Sequence, residues 1–183
     1  MAIPDTADYC ANEVLRDGGP ILIRAIRPDD KQRLLEHFAR LSPRSIYQRF
    51  FGFKRSLSDQ DLRDFTDLDF VDHVGLAATI GAADDERIIG VGRYIRSGGR
   101  DRAEVGFAVL DDYQGHGVGT LLLKHLARVA RQTRIKEFVA YVMGSNRQML
   151  EVFANSGFRE RDSFESGAVR VTLEIGPSEP ATG

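Results

Sequence analysis

Residues 114–120, Gln-Gly-His-Gly-Val-Gly-Thr, set three glycines between an extended run and the strongest helical pattern in the chain. Such a turn constrains both flanks, because the backbone must reverse out of a strand and begin a helix whose first amides have no intrahelical partner. The helix that follows carries Val118, Leu121, Leu122, Leu126 and Val129 on one face and Lys124, Arg128 and Arg131 on the other. The run before it, Ala-Glu-Val-Gly-Phe-Ala-Val at 103–109, alternates as a strand does. Glu104, Gly106 and Ala108 share one face, and Val105, Phe107 and Val109 the other.

Around this strand, turn and helix the remaining elements fall in a mixed order. Asp17-Gly18-Gly19-Pro20 separates two short β-prone runs, 13–16 and 21–26, and predicts an opening hairpin. A helix begins at Pro28-Asp29-Asp30, places Leu34, Leu35, Phe38 and Leu41 on one side, and ends at Ser42-Pro43. Ser58 caps a second helix from Asp59 to about Phe65. Between these helices residues 44–51 form a dense aromatic and arginine segment, left without an element of its own. Strands at 74–80, 88–95 and 102–110 read as an antiparallel meander, followed after the long helix by a buried strand at 138–142, a helix at 146–155 and a last strand at 169–175.

The expected class is therefore α/β (α+β), in one domain spanning residues 1–183, with a core of about 21–176 and a frayed tail at 177–183. Hydrophobic residues at 42% and charged residues at 28% suffice for a sizeable core. A net charge of −2 and a pI near 6.1 give no drive toward a phosphate backbone, so no nucleic-acid partner is expected. The single cysteine, Cys10, excludes an intramolecular disulfide and a cysteine-based zinc site, and His37, His73, His116 and His125 lack metal-ligand spacing, so no metal is expected. The first eight residues lack a basic and apolar leader and no apolar run is long enough to span a membrane, which points to a cytoplasmic protein with no membrane partner.

What the glycine turn can bind follows from its position. Unpartnered amides at a helix start, with the positive end of the helix dipole, favour an anion. A nucleotide-hydrolysing loop is excluded because no Lys follows the glycines, and a dinucleotide fingerprint fails because its sixth position is Thr120.

Gln-x-x-Gly-x-Gly after the strand at 103–109, with Asn146 opening the next helix and Gly157-Phe158 beyond it, resembles the acetyl-CoA loop and landmarks of the GNAT family of N-acetyltransferases. Residues 23–30, Ile-Arg-Ala-Ile-Arg-Pro-Asp-Asp, are similar to that family's first strand and helix start, so the resemblance covers about residues 21–175. It implies a mixed, mostly antiparallel central sheet flanked by helices, splayed between the strands at 102–110 and 138–142 to admit acyl-CoA. It also implies acetyl-CoA as co-substrate and a primary amine as acceptor. Residues 41–51 with Leu57-Ser58 look like the bacterial branch that modifies protein lysines, some of whose members carry an added ligand-sensing domain that is not expected within these 183 residues. A small amine as acceptor, or a non-catalytic acyl-CoA-binding module, remains the alternative.

By the same resemblance the amides of Gln114, Gly115, His116, Gly117, Val118, Gly119 and Thr120 hold the pyrophosphate, and the backbone of Phe107, Ala108 and Val109 bonds the pantetheine amides. Glu104 is the general base, expected as a partly desolvated carboxylate working through water, against the plainer reading of a solvated strand residue near Arg102. Asn146 is either a cofactor contact or a helix cap. Phe153 stands where many members have Tyr, and Phe cannot protonate the leaving thiolate. A thiol of pKa about 8.5 is nevertheless a fair leaving group near neutral pH. Arg44, Tyr47 and Arg49 are candidates to line the acceptor side, while Phe50 and Phe51 are expected to pack on the sheet.

Overall fold

Eight strands form one sheet in the order β1-β2-β3-β4-β5-β6-β8-β7. The computed structural model describes residues 6–176, so the tail expected at 177–183 lies outside the described residues. The opening hairpin pairs β1 (Cys10–Val14) with β2 (Pro20–Ala25). Asp17 closes it by accepting from the Gly19 amide at 2.9 Å, with Gly18 at a left-handed φ of 89°. A 3-10 turn at Pro28–Asp30 leads into α1 (Lys31–Arg40), and the turn is pinned to β2 by Arg24, whose Nη1 and Nη2 meet the Asp30 carboxylate at 2.7 and 2.8 Å. Asp30 is fully buried, yet Arg24 holds its carboxyl below the ordinary range against the opposing effect of burial.

Then follow α2 (Pro43–Phe50), α3 (Asp59–Thr66), β3 (His73–Ile80), β4 (Arg87–Arg96) and β5 (Arg102–Val109), the last three an antiparallel meander. The chain continues through α4 (Val118–Gln132), β6 (Glu137–Val142), α5 (Arg147–Ala154), β7 (Arg159–Glu165) and β8 (Ala168–Glu174). The sheet is mostly antiparallel and mixed, as expected; β5 and β6 run parallel.

Two elements are additions to the sequence reading. Residues 44–51 are mostly helix: Ser42, taken as a stop, is also the N-cap of α2, accepting from the Ser45 amide at 3.1 Å, with Pro43 at the first helical position. β7 has the sequence Arg-Glu-Arg-Asp-Ser-Phe-Glu, almost wholly exposed, and is a strand through its ladder with β8 rather than through a buried face. Charge on such an edge strand also guards it against pairing with other chains.

The helices cover both faces. α4 buries Leu122, Leu123 and Leu126 completely against the sheet, and reaches it closely because β4 carries Gly90 and Gly92 beneath it. On the opposite face Leu34 of α1 and Leu62 of α3 pack with Ile26, Ala77 and Ile88. His125, on α4, is buried and bonded to the Tyr9 hydroxyl and, at 2.7 Å, to Glu13, which ties α4 to the first hairpin.

Candidate functional site

β5 and β6 pair over three residues, Arg102 with Glu137, Ala103 with Phe138 and Glu104 with Val139, and then part. Glu104 is therefore the last residue of β5 joined to β6. Beyond it β5 stays bonded to β4 on one side, while β6 stays bonded to β8. The edge of residues 105–109 facing the gap has no strand beside it, which leaves main-chain groups for an extended ligand. A cavity of about 700 Å³ fills the gap.

At one end of the cavity stands the glycine turn. A 3-10 turn at Asp111–Tyr113 follows β5, and Gly115 and Gly117 adopt left-handed φ values of 78° and 94°. Gly117 is the N-cap of α4 and supplies no side-chain acceptor, so the first amides of that helix are open to an anion. The turn is braced from three sides. The Gln114 side chain donates to the Val109 carbonyl at 3.1 Å and the Ser45 hydroxyl at 3.2 Å. Asp111 accepts from the Ser42 amide at 3.0 Å and from both serine hydroxyls, bonds that outweigh burial and hold its carboxyl low. Arg16, from the first hairpin, donates through its amide to the His116 carbonyl at 3.1 Å and through Nη1 to the Gly115 carbonyl at 3.3 Å. Arg16 is a cation beside the turn to which no pattern in the sequence points, since the two segments lie about a hundred residues apart.

The cavity is lined by Glu104, Phe107, Ala108, Val109, Gln114, Gly115, Gly117, Val118, Gly119, Thr120, Asn146 and Phe153. Of the cofactor-side residues His116 is not among its walls, its ring turning back to the Gln114 carbonyl, 3.0 Å from Nδ1, and of the acceptor-side candidates Arg44 and Tyr47 are not, whereas Arg49 is. Asn146 lines the cavity and also caps α5, accepting from the Met149 amide at 3.2 Å. Phe153 is buried edge-on against Phe107, with ring centroids 6.0 Å apart.

At the other end is the face of β5 that carries Glu104. Glu104 is exposed rather than partly desolvated, and Arg102 pairs across the strands with Glu137 at 2.8 Å instead of shielding it. Over Gly106, on the same face as Glu104, lies Arg49 of α2, where a Cβ on the glycine would come within 3.1 Å of Cζ and Nη2. Arg93, opposite Gly106 on β4, stacks 4.1 Å from the Phe65 ring and donates to the Asp64 carbonyl at 3.0 Å. Burial lowers the pKa of both guanidiniums. Arg93 is pushed to about 9 by burial and by Arg49's charge. The aromatic pair divides: Phe50 packs on Phe38 at 6.1 Å, while Phe51, at a left-handed φ of 55°, is exposed and lines the cavity. Tyr47 packs outside on Phe53, with centroids 5.0 Å apart. Among the described residues no group of three or more His, Cys, Asp or Glu side chains is placed to hold a metal, and no helix is long and apolar enough to cross a membrane.

Comparison with known proteins bears on this arrangement. Residues 41–158 match the family model described as Acetyltransferase (GNAT) family. An acetyltransferase of Pseudomonas aeruginosa is 30% identical over 158 residues, which are 86% of this chain and 85% of that protein. The crystal structure of the GNAT domain of S. lividans PAT superposes with a TM-score of 0.85 at 41% identity, covering 95% of this chain and 99% of that one. A cAMP-binding acyltransferase from Mycobacterium smegmatis gives a TM-score of 0.64 at 26% identity over 94% of this chain, which spans 50% of that longer protein.

Proposed function

Because the chain belongs to the GNAT family of acetyltransferases, we propose that it moves an acetyl group from acetyl-CoA to a primary amine, and that the amine is a lysine of another protein. One observation carries the reading: Glu104 is the last paired residue before β5 and β6 separate, so a carboxylate stands where an acyl group lying along the free edge of β5 would end. The lysine acceptor is supported by the resemblance of residues 41–51 and by a cavity mouth bordered by exposed Phe51 and Ile95. An apolar rim open to solvent suits the stem of a long side chain presented by a folded partner.

In this reading the amides at the start of α4 hold the pyrophosphate and the free edge of β5 takes the pantetheine, with an amide of residues 107–109 polarising the thioester carbonyl. The amine nitrogen attacks the carbonyl carbon, a C–N bond forms, the C–S bond breaks and CoA leaves as a thiolate. The proton that the amine nitrogen loses goes to Glu104 through water. An exposed carboxylate can keep that water in place, and the desolvation that strengthens it comes from the substrates as they fill the cleft. The demand is definite: a lysine of pKa about 10.4 is neutral once in about 2,500 molecules at pH 7, a deficit of roughly 4.6 kcal/mol. Phe153 supplies no proton to the thiolate, so that proton comes from solvent.

Glu104→Gln tests the assignment. It should lower kcat by about 100-fold to 10,000-fold at pH 7 with acetyl-CoA affinity unchanged, and activity should recover partly at high pH, where the amine is already neutral. Full activity of the variant on a verified lysine substrate at pH 7 would make Glu104 a structural residue.

A further inference from the structure

On the acceptor side of the cleft one charged group has no partner. Arg49 reaches from α2 to rest on the bare backbone of Gly106, with the Phe50 ring 5.3 Å from Cζ and the charges of Glu104 and Arg93 at longer range. Among the described residues its guanidinium makes no hydrogen bond and no ion pair. A guanidinium has five donors in a planar fork and is costly to leave unpaired where water is partly excluded.

The surroundings increase that cost. Arg93 on β4 is a second guanidinium at the same wall, its Nη2 engaged by the Asp64 carbonyl of α3 and by His73 of β3, 3.0 Å away. The carboxylates in range are Asp64, which acts on Arg93, and Glu104, which the reaction claims for the acceptor amine. When Glu104 takes up a proton, two guanidiniums remain at this wall with one fewer negative charge beside them. That balance calls for an anion brought in by a ligand, and the planar, bidentate match to a guanidinium is a carboxylate.

We infer that Arg49 is a specificity-determining residue that binds a carboxylate carried by the acceptor, so that the preferred lysine is one flanked by acidic side chains. The inference rests on the acetyltransferase reading above and names the acceptor more narrowly. Arg49 and Glu104 then divide the acceptor between them, the arginine holding the acid and the glutamate facing the amine.

The experiment uses two peptides, a lysine flanked on both sides by Glu and the same peptide flanked by Gln, with acetyl-CoA saturating. The Glu peptide should be favoured by about tenfold or more in kcat/KM, chiefly through KM. In Arg49→Gln the ratio should fall to about one, and Arg49→Lys should restore part of it, since the charge returns without the fork. Should Arg49→Gln fail to fold, Gly106→Ala displaces the guanidinium while leaving its charge, and should also reduce the ratio. Calorimetric Kd values for both peptides on the CoA-bound protein give the same comparison without turnover. Absent chemistry with an intact binding preference would count against Glu104 and the acetyl-transfer reading, not against Arg49. Equal affinity for the two peptides in the parent, a preference for Gln, or a preference that survives Arg49→Gln would overturn the inference. So would a dependence on Arg49 seen only when succinyl-CoA replaces acetyl-CoA, which would assign the carboxylate to the acyl group.

Discussion

His37 is buried on α1 with Nδ1 3.2 Å from the Ile88 carbonyl and Nε2 without a partner. Burial pushes its pKa down to about 4, against the smaller opposing effect of the Ile88 bond. The unfolded chain takes up a proton near pH 6.5 while the folded one refuses it until about pH 4, so stability should fall as pH drops through that window, by up to roughly 3 kcal/mol. Urea unfolding at several pH values should show this slope in the parent and a flatter one in His37→Gln. An identical slope would place the titration elsewhere. The residues of the candidate site differ in how far the sequence exposed them. Glu104 was named through the family resemblance of residues 103–109, and strand alternation added only the face it shares with Gly106 and Ala108. Arg49 stood in an aromatic run and was readable only as a candidate lining residue, because its position over Gly106 depends on how α2 docks. Arg16 could not be found at all, since a hairpin turn and a glycine turn meet only in three dimensions.

At the scale of elements, α4 and its glycine cradle were half visible. Its apolar stripe predicts a buried helix, but Gly90 and Gly92 look like ordinary weak points in a strand until the helix is laid on them. A Cβ at Gly90 would come 2.7 Å from Val118 Cγ1, at the first turn of α4 beside the glycine turn. Gly90→Ala should cost about 1–3 kcal/mol by overpacking and weaken CoA binding by moving that turn. Adding Val118→Ala should recover much of the stability. Both are readable by urea unfolding and CoA titration, and a neutral Gly90→Ala would show that α4 has slack. The two elements the sequence reading lacked failed for opposite reasons. Ser42-Pro43 ends α1 and starts α2, and a single signal read as a stop hid the start. β7 has no apolar period to read, because its place is set by pairing with β8.

For the molecule as a whole, the cleft is a gap in a sheet that its own core keeps open, so a ligand filling it binds the folded state alone. Acetyl-CoA at 100 times its Kd should add about 2.7 kcal/mol, a rise in Tm on the order of 5–10 °C, with much less from NAD or ATP. Gly119→Ala should remove much of that shift while leaving the unliganded Tm near the parent's, because its Cβ meets Val152 at an ordinary 3.5 Å. Gly117 cannot serve for this test, since its φ of 94° strains any side chain whatever the ligand does. Equal shifts from all three ligands would remove the cofactor assignment. The sequence by itself determined the class of fold, the meander and the glycine turn, because each is written in local periodicity or in residues a few positions apart, while Glu104 as the base candidate came from the family resemblance. The tertiary structure decided where β5 and β6 part, that Arg49 rather than open space lies over Gly106, and that Arg16 braces the turn. Those outcomes depend on which distant segments come to share one surface, and that is set by packing across the whole core rather than by any short stretch of chain.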